Sequence, residues 1–460
     1  MLCEGARDEC VQQSIVALGA LSQALFFVPQ PSETAPSVTR PLSTQSLLNS
    51  HHKAAIRYHT RAIELFRDRI AAKRPAPSAR SIMIMTLLLV TFEFLQGNMK
   101  AADHLMAGGI QLLKDNLTIL QGAAGRPRSK KLTSDEFEDV EHMLPRLSVS
   151  SSVTHFCNLQ SHQFAELRGS GVGSLPDADG RTGLPRLLAL WSEFSTRALV
   201  FVCQSFRNQL LQLKYDVTEV EERQTQLLLR LRQWRALLDQ YLVGAKSETV
   251  RYSLKMLIPH WLMVYIFTSC VLDPTDLSYD HFEPEFREIN TRCAELLAME
   301  IYQEGSATAQ SFKNKIKFSL GDGLITPLAL VIGKCRIHDV RMEAAEMFRL
   351  LPREAAWDAQ ALIIGKLGLV LMEERARVIH GYVPSNSRWF WTGGEWDIDN
   401  RVLHSRYVRI VPAEDGSPIR LGMTLDLDSL PDICGEVGCT KDHSYLPLRH
   451  ARSGLRDVMH

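Results

Sequence analysis

Three side chains near the carboxyl end have types and a spacing that suit a metal ion. Cys434, Cys439 and His443 follow the pattern Cys-x4-Cys-x3-His, and Zn²⁺ prefers thiolate and imidazole ligands. A tetrahedral site needs a fourth ligand, for which Asp442 or His450 is available. Two lone thiols in an irregular segment are the favoured interpretation, so no metal site is expected here.

A second group of metal-ligand types lies in the middle of the chain. It consists of His155, Cys157 and His162. The same reasoning favours unligated side chains in a loop. We therefore predict no bound metal and no cofactor.

The sequence lacks the local patterns that carry common catalytic chemistry. It has no Gly-x-Ser-x-Gly, no His-Glu-x-x-His and no Gly-x-Gly-x-x-Gly after a strand. Gly333-Lys334 and Gly365-Lys366 both lack the earlier glycine and the following Ser or Thr of a phosphate-binding loop. A catalytic thiol needs a partner base and a depressed pKa, and the sequence indicates neither. We therefore predict that the chain is not an enzyme and has no catalytic residue.

Three further segments each have a functional and a structural interpretation, and the structural one is favoured each time. The basic run Arg126–Lys131 suits a nuclear-import signal or a solvated linker. The acidic and aliphatic stretch Leu421–Asp432 suits an activation segment, or an ordinary edge strand or loop. The cluster Trp389, Trp391 and Trp396 suits an effector pocket, or packing of the tail onto a helical body.

The composition around these residues is that of a folded globular protein. The chain has 460 residues, of which 45% are apolar, and its 52 basic residues equal its 52 acidic residues. The apolar fraction excludes a disordered chain. The neutral charge argues against a stand-alone nucleic-acid binder, which carries a basic excess.

Compartment signals favour a reduced environment without membrane insertion. The segment Met1–Cys10 has no basic region typical of a signal peptide. The apolar stretches Ile82–Leu95 and Met256–Leu272 are short for a bilayer span and predict buried helices. The nine scattered cysteines contain no Cys-x-x-Cys pair, which suits free thiols in the cytosol or nucleus.

Hydrophobic periodicity predicts an all-α fold. Apolar or small residues recur at steps of three and four from Ile56 to Ile70, which indicates an amphipathic helix over 47–70. No long run alternates at period two. Further helices are expected over 78–96, 98–114, 184–213, 250–272, 285–302, 325–335, 339–350 and 357–380.

The strongest single helix signal runs from Thr218 to Tyr241. Thr218 and Glu221 have the spacing of a capping box, in which each side chain satisfies a backbone N–H of the first turn. A seam at alternating steps of three and four consists of Val220, Leu227, Leu231, Trp234, Leu238 and Tyr241. Packing in the core of the same chain is favoured over a dimer seam.

An ordered set of motifs on these helices resembles a known family. The motifs are Ile15–Leu21, Ala55–Ile63, Phe92–Asn98, His104–Leu113 and, much later, Pro352–Glu354 followed by Trp357–Ala359. In this order they look like the helical regulatory region of fungal zinc-binuclear-cluster (C6) transcription factors, particularly those associated with secondary-metabolite gene clusters. The resemblance covers residues 10–120 well and 185–380 loosely.

The resemblance implies a domain organisation and a departure from the family pattern. Residues 1–120 and 184–380 become two parts of the regulatory domain, with a flexible loop over 121–183 and a mostly irregular tail over 381–460. Family members usually begin with a basic module that holds two zinc ions through six cysteines. Here only Cys3 and Cys10 have a matching separation, with Arg7 the only basic residue between them. We therefore expect the zinc cluster to be absent.

The function implied is a nuclear, transcription-factor-like regulator of a fungal secondary-metabolite gene cluster. It would act through a protein partner, either a DNA-bound regulator or a coregulator, as a homo- or heterodimer, without direct contact to nucleic acid or membrane. A small-molecule effector is left open. The alternative is a cytosolic helical scaffold that binds protein partners and has no transcriptional role.

Overall fold

The structure of the chain is a computed structural model in which two compact units are distinguished. It describes residues 8–26, 50–72, 79–96, 101–112 except 103 and 110, 175–176, 182–210, 212–304, 323–351, 359–397, 402–426 and 456–458. The first unit comprises residues 1–148, 160–169 and 314–320, and the second comprises 149–159, 170–313 and 321–460. The described parts are mostly helical, which confirms the predicted α-helical character.

The first unit is built on three helices, α1 (Glu9–Phe26), α2 (Ser50–Ala72) and α3 (Ala79–Gln96), and residues 101–112 have helical backbone where described. Almost every described side chain of α3 is buried, as its uniformly apolar sequence predicts. The core of the unit joins all three helices through Ala17, Leu21, Ala55, Phe92 and Leu95.

The second unit begins with a succession of helices close to the predicted ranges. They are α4 (Leu184–Leu210), α5 (Val217–Gly244), α6 (Glu248–Cys270), a short 3-10 helix (Leu277–Phe282), α7 (Glu283–Glu304), α8 (Ile325–Lys334), α9 (His338–Leu350) and α10 (Ala359–His380). The apolar segments α6 and α8 are largely buried, so they form core layers of this unit.

Helix α5 packs inside the same chain, as expected, but it is capped differently. Its N-cap is Asp216, whose carboxylate accepts hydrogen bonds from the N–H groups of Thr218 and Glu219, so the predicted capping box is wrong. The seam faces α6: Trp261 donates its indole N–H to the carbonyl of Leu231 at 2.7 Å. The single polar seam residue, Gln224, donates to the carbonyl of Thr268 in α6 at 2.8 Å.

The segment expected to be mostly irregular contains an antiparallel sheet. Its strands are β1 (Trp389–Asp397), β2 (Val402–Arg409), β3 (Arg420–Asp426) and β4 (Arg456–Val458), hydrogen-bonded in sequence order. A bulge between Trp391 and Gly393 shifts the register of β1 against β2.

The sheet packs on α10 at two glycines. A Cβ atom at Gly365 would overlap the indole of Trp391, and one at Gly368 would overlap the phenol of Tyr407. The Tyr407 hydroxyl donates to the carbonyl of Gly365 at 3.0 Å. The absence of side chains at these two positions therefore lets the strands lie against the helix.

Several predictions fall outside the described residues. These are most of the loop over 121–183 with its basic run, the motif residues 352–358 and the zinc candidates at 155–162 and 434–450. Within the described part, five cysteines are buried and form no disulfide bond, namely Cys10, Cys203, Cys270, Cys293 and Cys335. No described helix combines the length and apolarity needed to cross a membrane.

Candidate functional site

A cavity of about 360 Å³ lies in the second unit, where α4, the turn after α6, the end of α8 and the sheet meet. Its walls are mainly apolar and aromatic, which is typical of small-molecule sites. The apolar lining comprises Val202, Phe206, Leu213, Val271, Pro274, Phe390, Val408, Ile410 and Pro412.

The turn that follows α6 forms one side of the cavity and is fixed by Asp273. Its carboxylate accepts hydrogen bonds from the backbone N–H and hydroxyl of Thr275 and from those of Ser278, at 2.5–2.8 Å. Burial alone would raise the pKa of Asp273, but these hydrogen bonds outweigh it and hold the pKa below the ordinary value. The turn is therefore pinned by an ionised carboxylate.

Asp276, in the same turn, connects the cavity to the interior. Both of its carboxylate oxygens lie 2.8 Å from the ammonium of Lys334, and one also accepts from Arg336 at 2.9 Å. Its backbone carbonyl accepts from Arg388 at 2.6 Å. Burial would raise the pKa of Asp276, but the two cations outweigh it, so the pKa is lowered and the carboxylate is ionised.

Behind Asp276 and Lys334 the charges continue into the core as a buried ion cluster, defined by Asp276, Lys334, Arg336, Arg341, Glu373 and Glu374. Glu373 accepts from Arg336 at 3.0 Å and from Arg341, and Arg341 also lies 3.6 Å from Glu374. The side chains of Arg341, Glu373 and Glu374 are fully buried. Removing one partner of such a pair typically costs about 3–5 kcal/mol, because the other charge stays buried and unpaired.

Lys366 lies beside this cluster but is not part of its ion pairs. A Cβ atom at Gly333 would stand 2.8 Å from its ammonium, and the ammonium lies 5.6 Å from the ring centre of Phe390. Within the described residues it makes no hydrogen bond and no ion pair. Burial, and then repulsion from Lys334, lower the pKa of Lys366 to about 7.

The two Gly-Lys pairs that fail as phosphate-binding loops therefore face each other inside the fold. Gly333 leaves room for Lys366, while Lys334 binds Asp276. Both lysine side chains are buried in the interior. Their arrangement therefore differs from that of a phosphate-binding loop, in which the lysine contacts the phosphates of a nucleotide.

Two side chains that could react or donate a hydrogen bond also line the cavity. The thiol of Cys270 is buried, and burial raises its pKa, so the reactive thiolate is disfavoured. The hydroxyl of Tyr279 has no hydrogen-bond partner within the described part of the chain. The cavity thus combines the Asp276–Lys334 ion pair and the hydrogen-bonded Asp273 with the available hydroxyl of Tyr279, an arrangement suited to binding.

Trp391 of the aromatic cluster and the described part of the acidic segment, residues 421–426, have the ordinary structural roles that the sequence favours. Trp391 is buried against α10 and donates its indole N–H to Ser405 at 3.3 Å, while its neighbour Phe390 lines the cavity. Residues 421–426 belong to β3, where Met423 and Leu425 are buried and unavailable to a coactivator.

The sequence did not identify the residues that form the site. Asp276, Lys334 and Glu373 come from three separate segments, and their charges were assigned to no site. The signal present in the sequence is that Lys366 interrupts the apolar part of α10, which ends at Glu373 and Glu374. Among the described residues, no group of three or more His, Cys, Asp or Glu could hold a metal ion.

Comparisons with protein-family models, with curated proteins and with solved structures each find no match. The family relationship therefore remains a prediction from the ordered motifs.

Proposed function

We propose that this chain is the regulatory body of a transcription regulator, similar to that of fungal zinc-binuclear-cluster factors, and that it acts in control of a secondary-metabolite gene cluster. It works through a protein partner, which is a DNA-bound regulator or a coregulator, and it works in the nucleus.

The observation that supports this proposal is that the motifs carrying the resemblance meet in one core. Ala17 and Leu21 come from the first motif, Ala55 from the second, and Phe92 and Leu95 from the third. Short Leu-, Ala- and Gly-rich patterns are weak when taken singly. Their contact in the first unit gives a packing reason for their order and spacing.

A polar contact joins two of the motifs more specifically. The imidazole of His59 lies 2.9 Å from the carboxylate of Glu93 and stacks on the ring of Phe92, with ring centres 3.7 Å apart. All three side chains are buried. Burying a polar pair requires mutual hydrogen bonding, so the residue types at these positions depend on each other.

The fourth motif is also placed by packing. A Cβ atom at Gly109 would overlap the side chain of Thr86 in α3, so the helical segment 104–109 approaches α3 at a position where only glycine fits.

The proposal is tested by deleting the gene in the source organism and measuring transcripts of the neighbouring genes. The deletion strain is complemented with the wild-type chain, with Phe92→Ala and with Ile56→Ala. Phe92 is a core residue whose truncation costs about 3–5 kcal/mol, whereas Ile56 lies in the same motif set but is exposed. We expect the deletion to change the transcripts, and we expect wild type and Ile56→Ala, but not Phe92→Ala, to restore them.

Unchanged transcripts in the deletion strain would contradict the proposal. A fluorescent fusion that stays outside the nucleus under inducing conditions would instead favour the cytosolic scaffold. Full restoration by Phe92→Ala, at wild-type protein level, would show that the motif core is not required.

A further inference from the structure

The cavity of the second unit has the size and walls of a ligand site. Its volume of about 360 Å³ falls within the range of roughly 300–1,000 Å³ found for small-molecule pockets. Aromatic rings from α4 (Phe206) and β1 (Phe390) stand 5.1 Å apart, centre to centre, and both line it. A flat apolar molecule would contact these rings over a large area.

The charged groups at the cavity are already engaged by neighbouring residues of the fold. Asp276 is paired with Lys334, and Asp273 is saturated by the hydroxyl and N–H groups of its own turn. Arg409 donates from its guanidinium to the carbonyl of Val411 at 2.9 Å. A charged ligand would lose its hydration against mainly apolar walls. Arg409 is the lining cation without an ion pair among the described residues, but a backbone carbonyl already engages it, so this lining favours an uncharged ligand.

The hydroxyl of Tyr279 remains for a ligand to engage. Tyr279 is 5% exposed, lines the cavity, and its hydroxyl makes no hydrogen bond to any described residue. Buried hydroxyl groups normally have a partner. Burial raises the pKa of Tyr279 well above its ordinary value, so the hydroxyl keeps its proton and can donate it to an acceptor oxygen.

Backbone strain is also concentrated here. Among the described residues, the non-glycine positions with positive φ are Gln212, at 51°, and Asp276, at 66°, and both line the cavity. Each such conformation costs of the order of 1 kcal/mol and persists where surrounding contacts enforce it, which happens most often at functional sites.

We propose that this cavity binds one uncharged, largely apolar small molecule, whose carbonyl or hydroxyl oxygen accepts a hydrogen bond from Tyr279. This inference concerns the second unit alone and does not rest on the proposed role in transcription.

The test uses the purified full chain and prodan, an uncharged aromatic ketone dye whose emission shifts to the blue in apolar surroundings. Methyl naphthyl ketone and naphthoate then compete with the dye, since they share a ring system but only naphthoate is charged. Tyr279→Phe removes the hydroxyl alone, and Ile410→Trp fills the cavity from a half-buried position. Tyr382→Phe is the matched control, because Tyr382 is exposed and does not line the cavity.

We expect saturable binding of one dye, and we expect the ketone to compete at lower concentration than naphthoate. Loss of one neutral hydrogen bond should weaken binding roughly three- to tenfold in Tyr279→Phe. Ile410→Trp should abolish binding and Tyr382→Phe should leave it unchanged, with folding checked by circular dichroism. Absence of saturable binding, equal competition by naphthoate, or wild-type affinity in both cavity variants would overturn the proposal.

Discussion

Replacement of Lys366 by methionine tests whether an uncompensated lysine is buried beside the ion cluster. The pKa of Lys366 is lowered from 10.5 to about 7, so the folded state resists protonation while the unfolded state accepts it. Each tenfold change in proton affinity corresponds to about 1.4 kcal/mol, so below about pH 7 this side chain costs the folded state roughly 4–5 kcal/mol.

The sign of the pH dependence follows from linkage. Between about pH 7 and 10.5 the unfolded state binds more protons at this position than the folded state does, so the free energy of unfolding rises with pH. From pH 7 to 9 the contribution of Lys366 to this rise is about 2 kcal/mol. Lys366→Met removes that contribution and keeps an unbranched side chain of nearly the same length near the ring of Phe390.

The assay is urea unfolding followed by tryptophan fluorescence at pH 7 and pH 9. All seven tryptophans occur at position 191 or later, outside the first unit, so the signal reports on the second unit alone. We expect Lys366→Met to be more stable than wild type at pH 7, and the gain to shrink by about 2 kcal/mol at pH 9. The exposed Lys246→Met is the control and should show no such change.

The neighbouring Gly-Lys pair should respond in the opposite direction. Lys334→Met leaves the carboxylate of Asp276 with Arg336 as its remaining cation, and we expect destabilisation of about 3 kcal/mol. A difference between Lys366→Met and wild type that is equal at both pH values would refute the reasoning. Destabilisation by both lysine substitutions would show that Lys366 is charged and paired in the folded protein.

Two further predictions use the same fluorescence assay. Asp216→Ala should cost about 1 kcal/mol because it removes the N-cap of α5, whereas Thr218→Ala should change stability little. A larger loss of stability in Thr218→Ala than in Asp216→Ala would support the capping box instead. Gly365→Ala should cost about 1–3 kcal/mol because its methyl group would overlap Trp391. Gly244→Ala, which has no atom within 4 Å of the added Cβ, should be neutral or slightly stabilising; equal effects would contradict close packing of helix and sheet.

Helices were predictable because their signal is local. The apolar pattern over 184–213 and 250–272 placed α4 and α6 within a few residues of their observed bounds. The cap of α5 was predicted wrongly for the same local reason. Asp216 and Thr218 are both good capping residues, and backbone geometry selected the earlier one.

The sheet was missed because its strands do not show a regular alternation of apolar and polar residues. A buried polar residue interrupts the alternation in β2, and the bulge interrupts it in β1. In β2, the side chains of Leu403, Ser405 and Tyr407 are buried, but serine is polar and therefore does not indicate a buried position in the sequence. In β1, the bulge after Trp391 breaks the period of two. Only the partners of these residues, namely the indole of Trp391 for Ser405 and the glycine face of α10 for Tyr407, explain why they are buried.

The site was not predictable because its charged residues bind partners that are far apart in the sequence. Asp276 pairs with Lys334 at a separation of 58 residues, and Arg388 reaches Asp276 across 112 residues. Nothing local indicates such partners. What the sequence does show is that Lys366 stands among apolar residues of α10 and that Glu373 directly follows them, at positions where burial of a charge is costly.

The buried ion cluster gives the cavity a shape that apolar packing alone would not specify. Hydrophobic replacement of a buried ion pair is often neutral or stabilising, so net stability is a weak reason for retaining one. Here Lys334 of the cluster ties Asp276 to the end of α8, and Arg388, the residue before β1, binds the backbone carbonyl of Asp276. Tyr279 lies in the 3-10 helix whose N-cap is Asp276. Charged hydrogen bonds are directional, whereas apolar contacts allow a turn to slide. We infer that the cluster holds the Tyr279 hydroxyl at a fixed place in the cavity wall, although the buried charges themselves add little net stability.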